Sequence, residues 1–313
     1  MSIVPTPEQQ RIIAYPLRPL RVTAGAGTGK TTTMALRLAG LIRSAGLEPE
    51  QALGITFTNK AAEELADRLR MHLGDLAEAG RQVEVTTYHG FAHSLLAEFG
   101  PLVGIERGLA VITPGYQRQL LRDALGSRSR RLMDLTAPGA RVEELAVLAG
   151  QMADHLVDPA RPAVLGGTDQ VAAERAEMAE VLLEYAARKR RLQAVDYSDL
   201  ITLAHHLLAT SPGVVARLRE RYRAVLLDEY QDTNPAQREL LRLAFGNGFP
   251  VTAVGDAEQT IYEWRGASLR NFEDFPTHFP SPDGAPAEPL SLTHNRRSGT
   301  RIVQLANLVG RRI

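Results

Sequence analysis

The residues with the most evident chemistry are Ala24-Gly25-Ala26-Gly27-Thr28-Gly29-Lys30-Thr31. They have the form of a phosphate-binding loop, with alanine where the usual pattern places its first glycine. Gly25, Gly27 and Gly29 remove Cβ atoms where the backbone must wrap a phosphate, and they permit positive φ. Backbone N–H groups and the N-terminus of a following helix then face the anion. Lys30 would reach the β- and γ-phosphates, and the Thr31 hydroxyl would bind Mg²⁺. The alternative is a glycine-rich turn followed by a chance Lys-Thr; spacing, flanks and a second, acidic landmark argue against it. That landmark is Leu226-Leu227-Asp228-Glu229, an apolar run delivering two adjacent carboxylates. Asp228 would hold Mg²⁺, usually through water, and Glu229 would orient and deprotonate an attacking water. Alone, such a pair also suits the N-terminus of a surface helix. In a chain with a phosphate loop it reads as the second part of a Mg²⁺–nucleoside triphosphate site.

The flanking sequence supplies elements to hold these groups. Residues 19–23 read as a strand, and Thr32 to Ser44 has helical periodicity with Leu36, Leu38, Leu41 and Ile42. Further strands are expected at 51–58, 82–87, 223–228 and 251–254, with helices from Asn59 to about Leu73, at 90–99, at 198–209 and at 235–245. Strands alternating with helices predict an α/β fold with a mostly parallel, doubly wound sheet. Between about 115 and 194 strand-like runs are nearly absent, and arginine-rich helices at 115–126, 140–156 and 170–193 predict an inserted helical subdomain. Pro276, Pro280, Pro282, Pro286 and Pro289 mark a connector, after which Leu290 to Ile313 reads as the start of another domain.

Composition bounds the function classes. At 313 residues with 44% hydrophobic residues, about two domains with ample core are expected. Zero cysteines exclude disulfides, cysteine nucleophiles and cysteine-ligated metal. No run of 18 apolar residues and no secretory leader is present, which predicts a cytoplasmic protein with no membrane partner. Lys+Arg and Asp+Glu balance at 36 each, so nucleic-acid binding would rest on a local groove and stacking rather than net charge. His205-His206 has no metal-ligand spacing.

The words around the acidic pair are more specific. Asp228-Glu-Tyr-Gln-Asp-Thr-Asn234 and Val254-Gly-Asp-Ala-Glu-Gln-Thr-Ile-Tyr-Glu-Trp-Arg-Gly-Ala267 resemble motifs II and III of superfamily 1 helicases of the UvrD/Rep/PcrA type. Ile55 to Ala62 resembles motif Ia, Thr87 to His93 motif Ib, and Asn295-Arg-Arg-Ser298 motif IV. Asp196 to Ile201 resembles the segment that returns from the helical insert. The resemblance implies a RecA-like phosphate-loop NTPase domain in two parts (1–112 and 196–278), an inserted helical subdomain (113–195), and the start of a second RecA-like domain (279–313).

It also implies roles. Gln10 would read adenine, Gln259 would contact the γ-phosphate and signal its loss, and Arg297 would neutralise charge building there. Phe57, Tyr262 and Trp264 would stack on bases, with core packing nearly as good a reading for Phe57. Thr58, Asn59, Thr87 and His89 would hold backbone phosphates, and Arg265 would link strand to nucleotide. Two positions depart from the family. Arg296 stands where tyrosine stacks on adenine, and Thr32 where an arginine is common, so strict ATP preference is not implied. The implied function is ATP- and Mg²⁺-dependent 3′–5′ translocation on single-stranded and duplex-junction DNA, beside the nucleoid and among repair or replication proteins. The alternatives are the motor of a RecB/AddA-type helicase–nuclease and a non-motor nucleotide switch. With motifs V and VI not seen before Ile313, a longer gene product is expected, and this chain by itself should hydrolyse ATP slowly and not unwind DNA.

Overall fold

The apolar runs of the sequence become a parallel sheet. The computed structural model describes residues 4–74, 76, 79–106, 108–127, 133, 136–161, 170–260 and 267–310. Its strands are β1 (Leu20–Ala24), β2 (Ala52–Thr56), β3 (Glu84–Thr87), β4 (Ala110–Val111), β5 (Ala194–Val195), β6 (Ala224–Leu227), β7 (Val251–Gly255) and β8 (Glu288–Leu292). The chain divides into two units, residues 1–88 with 215–233 and 241–313, and residues 89–214 with 234–240.

In the first unit six strands lie in the order β3-β2-β6-β7-β1-β8, each pair parallel. β2, β6 and β7 are buried at every position, as strands covered on both faces must be. Helix α1 (Pro7–Ala14) opens on a capping box in which Thr6 and Gln9 satisfy each other's backbone. Helix α2 (Lys30–Ala45) turns Met34, Ala35, Leu38, Leu41 and Ile42 into the core, and α3 (Asn59–Leu73) does the same with Ala62, Leu65, Leu69 and Leu73. All six strands run the same way, so their C-terminal ends share one edge. The loops leaving that edge are where ligands bind in such sheets, and they carry the phosphate loop and the acidic pair.

β8 joins this sheet as an edge strand, pairing Leu20 to Ala24 with Glu288 to Leu292. A turn in the proline-rich connector, closed by Ser281 N–H donating to the Ala285 carbonyl at 2.7 Å, returns the chain to β1. Pro289, lacking an N–H, is tolerated because the strand is at the edge.

The second unit is mainly helical. The helices Pro114–Leu125, Pro138–Asp154 and Gln170–Arg191 pack through Leu120, Leu121, Val142, Leu145, Val181 and Leu182, and the helix Tyr197–Thr210 belongs to the same unit. It also contains a strand pair that the helical periodicity hid, β4 with β5 in parallel. Among the described residues no helix is long and apolar enough to cross a membrane.

Candidate active site

The phosphate loop bridges the end of β1 and the start of α2, as its flanks predict. Gly27 and Gly29 have φ of 74° and 81°, where a side chain would be strained. A Cβ on Gly27 would also lie 2.7 Å from Arg297 Cβ and 2.9 Å from Asn295 Nδ2. The motif IV segment lies directly on the loop: Asn295 Nδ2 donates to the Ala26 carbonyl at 2.8 Å, and Arg296 N–H donates to the Gly27 carbonyl at 2.9 Å. Thr28 closes the loop internally, its hydroxyl donating to the Gly25 carbonyl at 2.8 Å.

Five polar side chains then join three strand ends. Lys30 Nζ donates to Glu229 Oε2 at 2.9 Å, and Gln231 Nε2 donates to the same oxygen at 2.8 Å. Gln231 Oε1 accepts from Asp256 N–H at 3.1 Å, and Gln259 Nε2 donates to Asp256 Oδ2 at 2.5 Å. β6 and β7 are neighbours in the sheet, which brings their acidic ends within reach of one glutamine. Glu229 sits at φ 49°, a left-handed conformation that costs a non-glycine residue about 1–2 kcal/mol. Asp228 is anchored by its N–H to the Ile55 carbonyl at 2.9 Å. Burial, with Glu229 beside it, pushes its carboxyl up to about 6. Sequence reading assigned no role to Gln231; its signal was its place in the Asp228 to Asn234 word.

The neighbouring glutamines Gln9 and Gln10 face different ways. Gln10 is exposed and its amide donates to the Pro5 carbonyl at 3.3 Å. Gln9 is 4% exposed and donates to the Thr28 carbonyl of the phosphate loop at 3.3 Å. The capping box fixes the phase of α1 and turns Gln9, not Gln10, inward. Thr32, at the position where arginine is common, accepts from Arg68 Nη1 at 2.8 Å, so another arginine reaches this edge. Arg296 is exposed, its Nη2 donating to the Val4 carbonyl at 3.1 Å. Arg297 is exposed beside Gly27.

Phe57 lies beyond the end of β2 and is half-buried. Thr58 is exposed and caps α3, its hydroxyl accepting from Ala61 N–H at 3.1 Å; Asn59 is exposed next to it. Thr87 ends β3, in register with Thr56. In the second unit His89 stacks on Tyr197, ring centroids 3.8 Å apart and planes 16° from parallel. Burial pushes the imidazole of His89 down to about 4, so it is neutral at neutral pH. Tyr197 is 59% exposed and was not singled out in the sequence, although it follows Asp196 in the returning segment. Tyr262, Trp264 and Arg265 lie outside the described residues.

The chain matches the UvrD/REP helicase N-terminal domain family over residues 5–280. It is 33% identical to ATP-dependent DNA helicase PcrA of Leuconostoc citreum over 93% of this chain and 37% of that protein. It is 34% identical to ATP-dependent DNA helicase UvrD1 of Mycobacterium bovis over 97% of this chain and 38% of that one. With PcrA of Staphylococcus aureus the identity is 32%, over 96% and 39%. The chain therefore spans 37–39% of the length of these relatives. The family match over residues 5–280 and relatives 32–34% identical over 93–97% of the chain place it in the UvrD/REP helicase family.

Proposed function

We propose that this chain supplies the nucleotide-binding part of an ATP-dependent DNA helicase that moves 3′ to 5′ on single-stranded DNA. The observation that carries the reading is the hydrogen-bonded series from Lys30 through Glu229, Gln231 and Asp256 to Gln259. It gives a bound nucleotide one route from the phosphate loop to the strand ends that lead into motif III.

The residues present fit a magnesium-bound triphosphate. The left-handed glycines leave a cradle that a Cβ would fill, and Asp228 is a buried carboxyl whose raised affinity for a proton marks a place for positive charge. Among the described residues no group of three or more acidic or histidine ligands exists. Mg²⁺ would thus rest on Thr31, Asp228, phosphate oxygens and water, the usual arrangement for this ion. When bound, it neutralises charge on the β- and γ-phosphates. Lys30 exchanges Glu229 for the phosphates, which frees that carboxylate to orient and deprotonate water while Gln231 still holds it. Gln9 contacts the base side, and Arg296 covers it in place of an aromatic ring. Arg297 and Gln259 approach the γ-phosphate, the latter reporting its loss.

On this reading Phe57, Tyr197, Tyr262 and Trp264 offer rings to bases. Thr58, Asn59, Thr87 and His89 hold the backbone, and Arg265 joins strand and nucleotide. The DNA is single-stranded or a duplex junction, met in the cytoplasm among repair or replication proteins. The test is ATP turnover by the whole gene product with and without single-stranded DNA. Turnover should be stimulated by the strand, and Lys30→Ala and Glu229→Gln should abolish it. Glu229→Gln should still bind nucleotide. Turnover indifferent to DNA would refute the motor.

A further inference from the structure

Arg37 lies on α2, two turns beyond the phosphate loop, and is 1% exposed. Four hydrogen bonds tie its guanidinium to neutral acceptors on elements distant in sequence. Nη1 donates to the carbonyls of Ile12 and Tyr15, both at 2.7 Å. Nη2 donates to the Pro16 carbonyl at 3.2 Å, and Nε donates to Thr252 Oγ1 on β7 at 2.9 Å. The Tyr15 ring lies 5.5 Å away in cation–π contact. A buried charge held only by neutral groups is costly; burial pushes this guanidinium down to about 10. What it achieves is a fixed junction. Ile12, Tyr15 and Pro16 form the C-terminal end of α1 and the residues just after it; the Ile12 and Pro16 carbonyls also accept from the Tyr15 and Arg18 N–H groups, at 3.3 and 2.8 Å, so the guanidinium adds to the turn that ends the helix. The other end of that short helix carries Gln9, whose amide donates to the Thr28 carbonyl. A Cβ on Gly29 would approach Gln9 Nε2 to 3.1 Å.

We propose that Arg37 is a positioning residue for nucleotide binding: it locks α1 to α2 and β7 and so holds the Gln9 amide against the phosphate loop. An eight-residue helix has little stability of its own, so its placement depends on such a clamp. The planar five-donor fork suits the task, and a lysine, with three donors at a point, cannot span the same acceptors.

The inference rests on the nucleotide reading, and one experiment separates the two. The dissociation constant of a fluorescent, non-hydrolysable ATP analogue with Mg²⁺ is measured for the 313-residue chain and for Arg37→Lys, Gln9→Ala and the double variant, alongside Tm. Arg37→Lys is expected to weaken binding about three- to tenfold, and Gln9→Ala to lose most of its effect in the Arg37→Lys background. Thr252→Val removes one of the four bonds while keeping a β-branched side chain on β7, and should weaken binding about twofold, which keeps the test open if Arg37→Lys does not fold. A purely structural arginine would lower Tm, leave the dissociation constant unchanged and let the Gln9→Ala effect add in full; that result overturns the proposal. Failure of the unaltered chain to bind the analogue overturns the nucleotide reading and the proposal with it.

Discussion

Gly255→Ala tests whether the link between β6 and β7 supports the Glu229 carboxylate in the role proposed for it. Gly255 ends β7, and a Cβ there would lie 2.5 Å from Gln231 Oε1 and 2.9 Å from Phe272 Cε2. Neither neighbour has room, since Gln231 is 1% and Phe272 2% exposed. The amide oxygen must retreat by several tenths of an ångström, and its bond from Asp256 N–H is already 3.1 Å. That bond is therefore lost and a buried N–H is left without its acceptor, which costs about 1–3 kcal/mol. Overpacking against Phe272 adds strain of similar size, so about 2–4 kcal/mol of stability should disappear. Urea unfolding should show a lower midpoint with an unchanged slope. The Gln231 amide would move off Glu229 Oε2 as well, so ATP turnover should fall about tenfold or more. Nucleotide affinity should change little, because the phosphate loop is untouched. An alanine variant within about 0.5 kcal/mol of the parent, with undiminished turnover, would show that Gln231 is not held as described.

Stability should also respond to pH through Asp228. Its folded value of about 6 exceeds the ordinary 3.8, so between these values the native state holds a proton that the unfolded chain has released. Stability falls as pH rises through this window, by about 3 kcal/mol in total. Asp228→Asn should lack this component when urea unfolding is compared at pH 4 and pH 7. Tyr197→Ala removes the exposed ring stacked on His89 and should cost about 1–3 kcal/mol in single-stranded DNA affinity, read by fluorescence anisotropy. Unchanged affinity would remove Tyr197 from the strand path. In the second unit Lys189 Nζ donates to Asp196 Oδ2 at 2.6 Å and Asp199 Oδ2 at 2.5 Å. Lys189→Met leaves the buried Asp196 carboxylate facing the part-buried Asp199 one and should cost about 3 kcal/mol. Burial and Asp196 already push Asp199 up; without the lysine the pair would bind a proton more readily, so the loss in Tm should be smaller at pH 5 than at pH 8.

The parts of the site legible in the sequence are those whose chemistry demands residue types at fixed local spacing. The phosphate loop and Asp228-Glu229 are of this kind, and each falls at a strand end where the sheet needs it. Gln9 and Gln10 show the limit of that reading, because neighbouring glutamines differ only in helix phase. The Thr6–Gln9 capping box sets the phase, and its signature was present in the sequence. The junctions that depend on strand order were not legible. Gln231 can span Glu229 and Asp256 only because β6 lies beside β7. Likewise β8 could be seen as a strand, but not as a partner of β1. The His89–Tyr197 stack joins residues from opposite ends of the helical unit, and no local pattern announces it.

The charge balance of the site explains why these supports matter. Asp228 and Glu229 face one lysine, so the cluster is net negative before any triphosphate approaches. An anion would be repelled unless positive potential is concentrated at the loop. Three features supply it: the backbone N–H groups around Gly27 and Gly29, the N-terminus of α2, and Lys30 once released from Glu229. On the proposed reading, a divalent cation beside Asp228 would relieve the carboxylate that burial has pushed up. Each contribution is short-ranged and directional, so displacing the loop from the strand ends by a fraction of an ångström weakens all of them together. The hydrogen bonds from Gln9, Asn295, Arg296 and Gln231 hold that register, and the Arg37 junction stands behind Gln9.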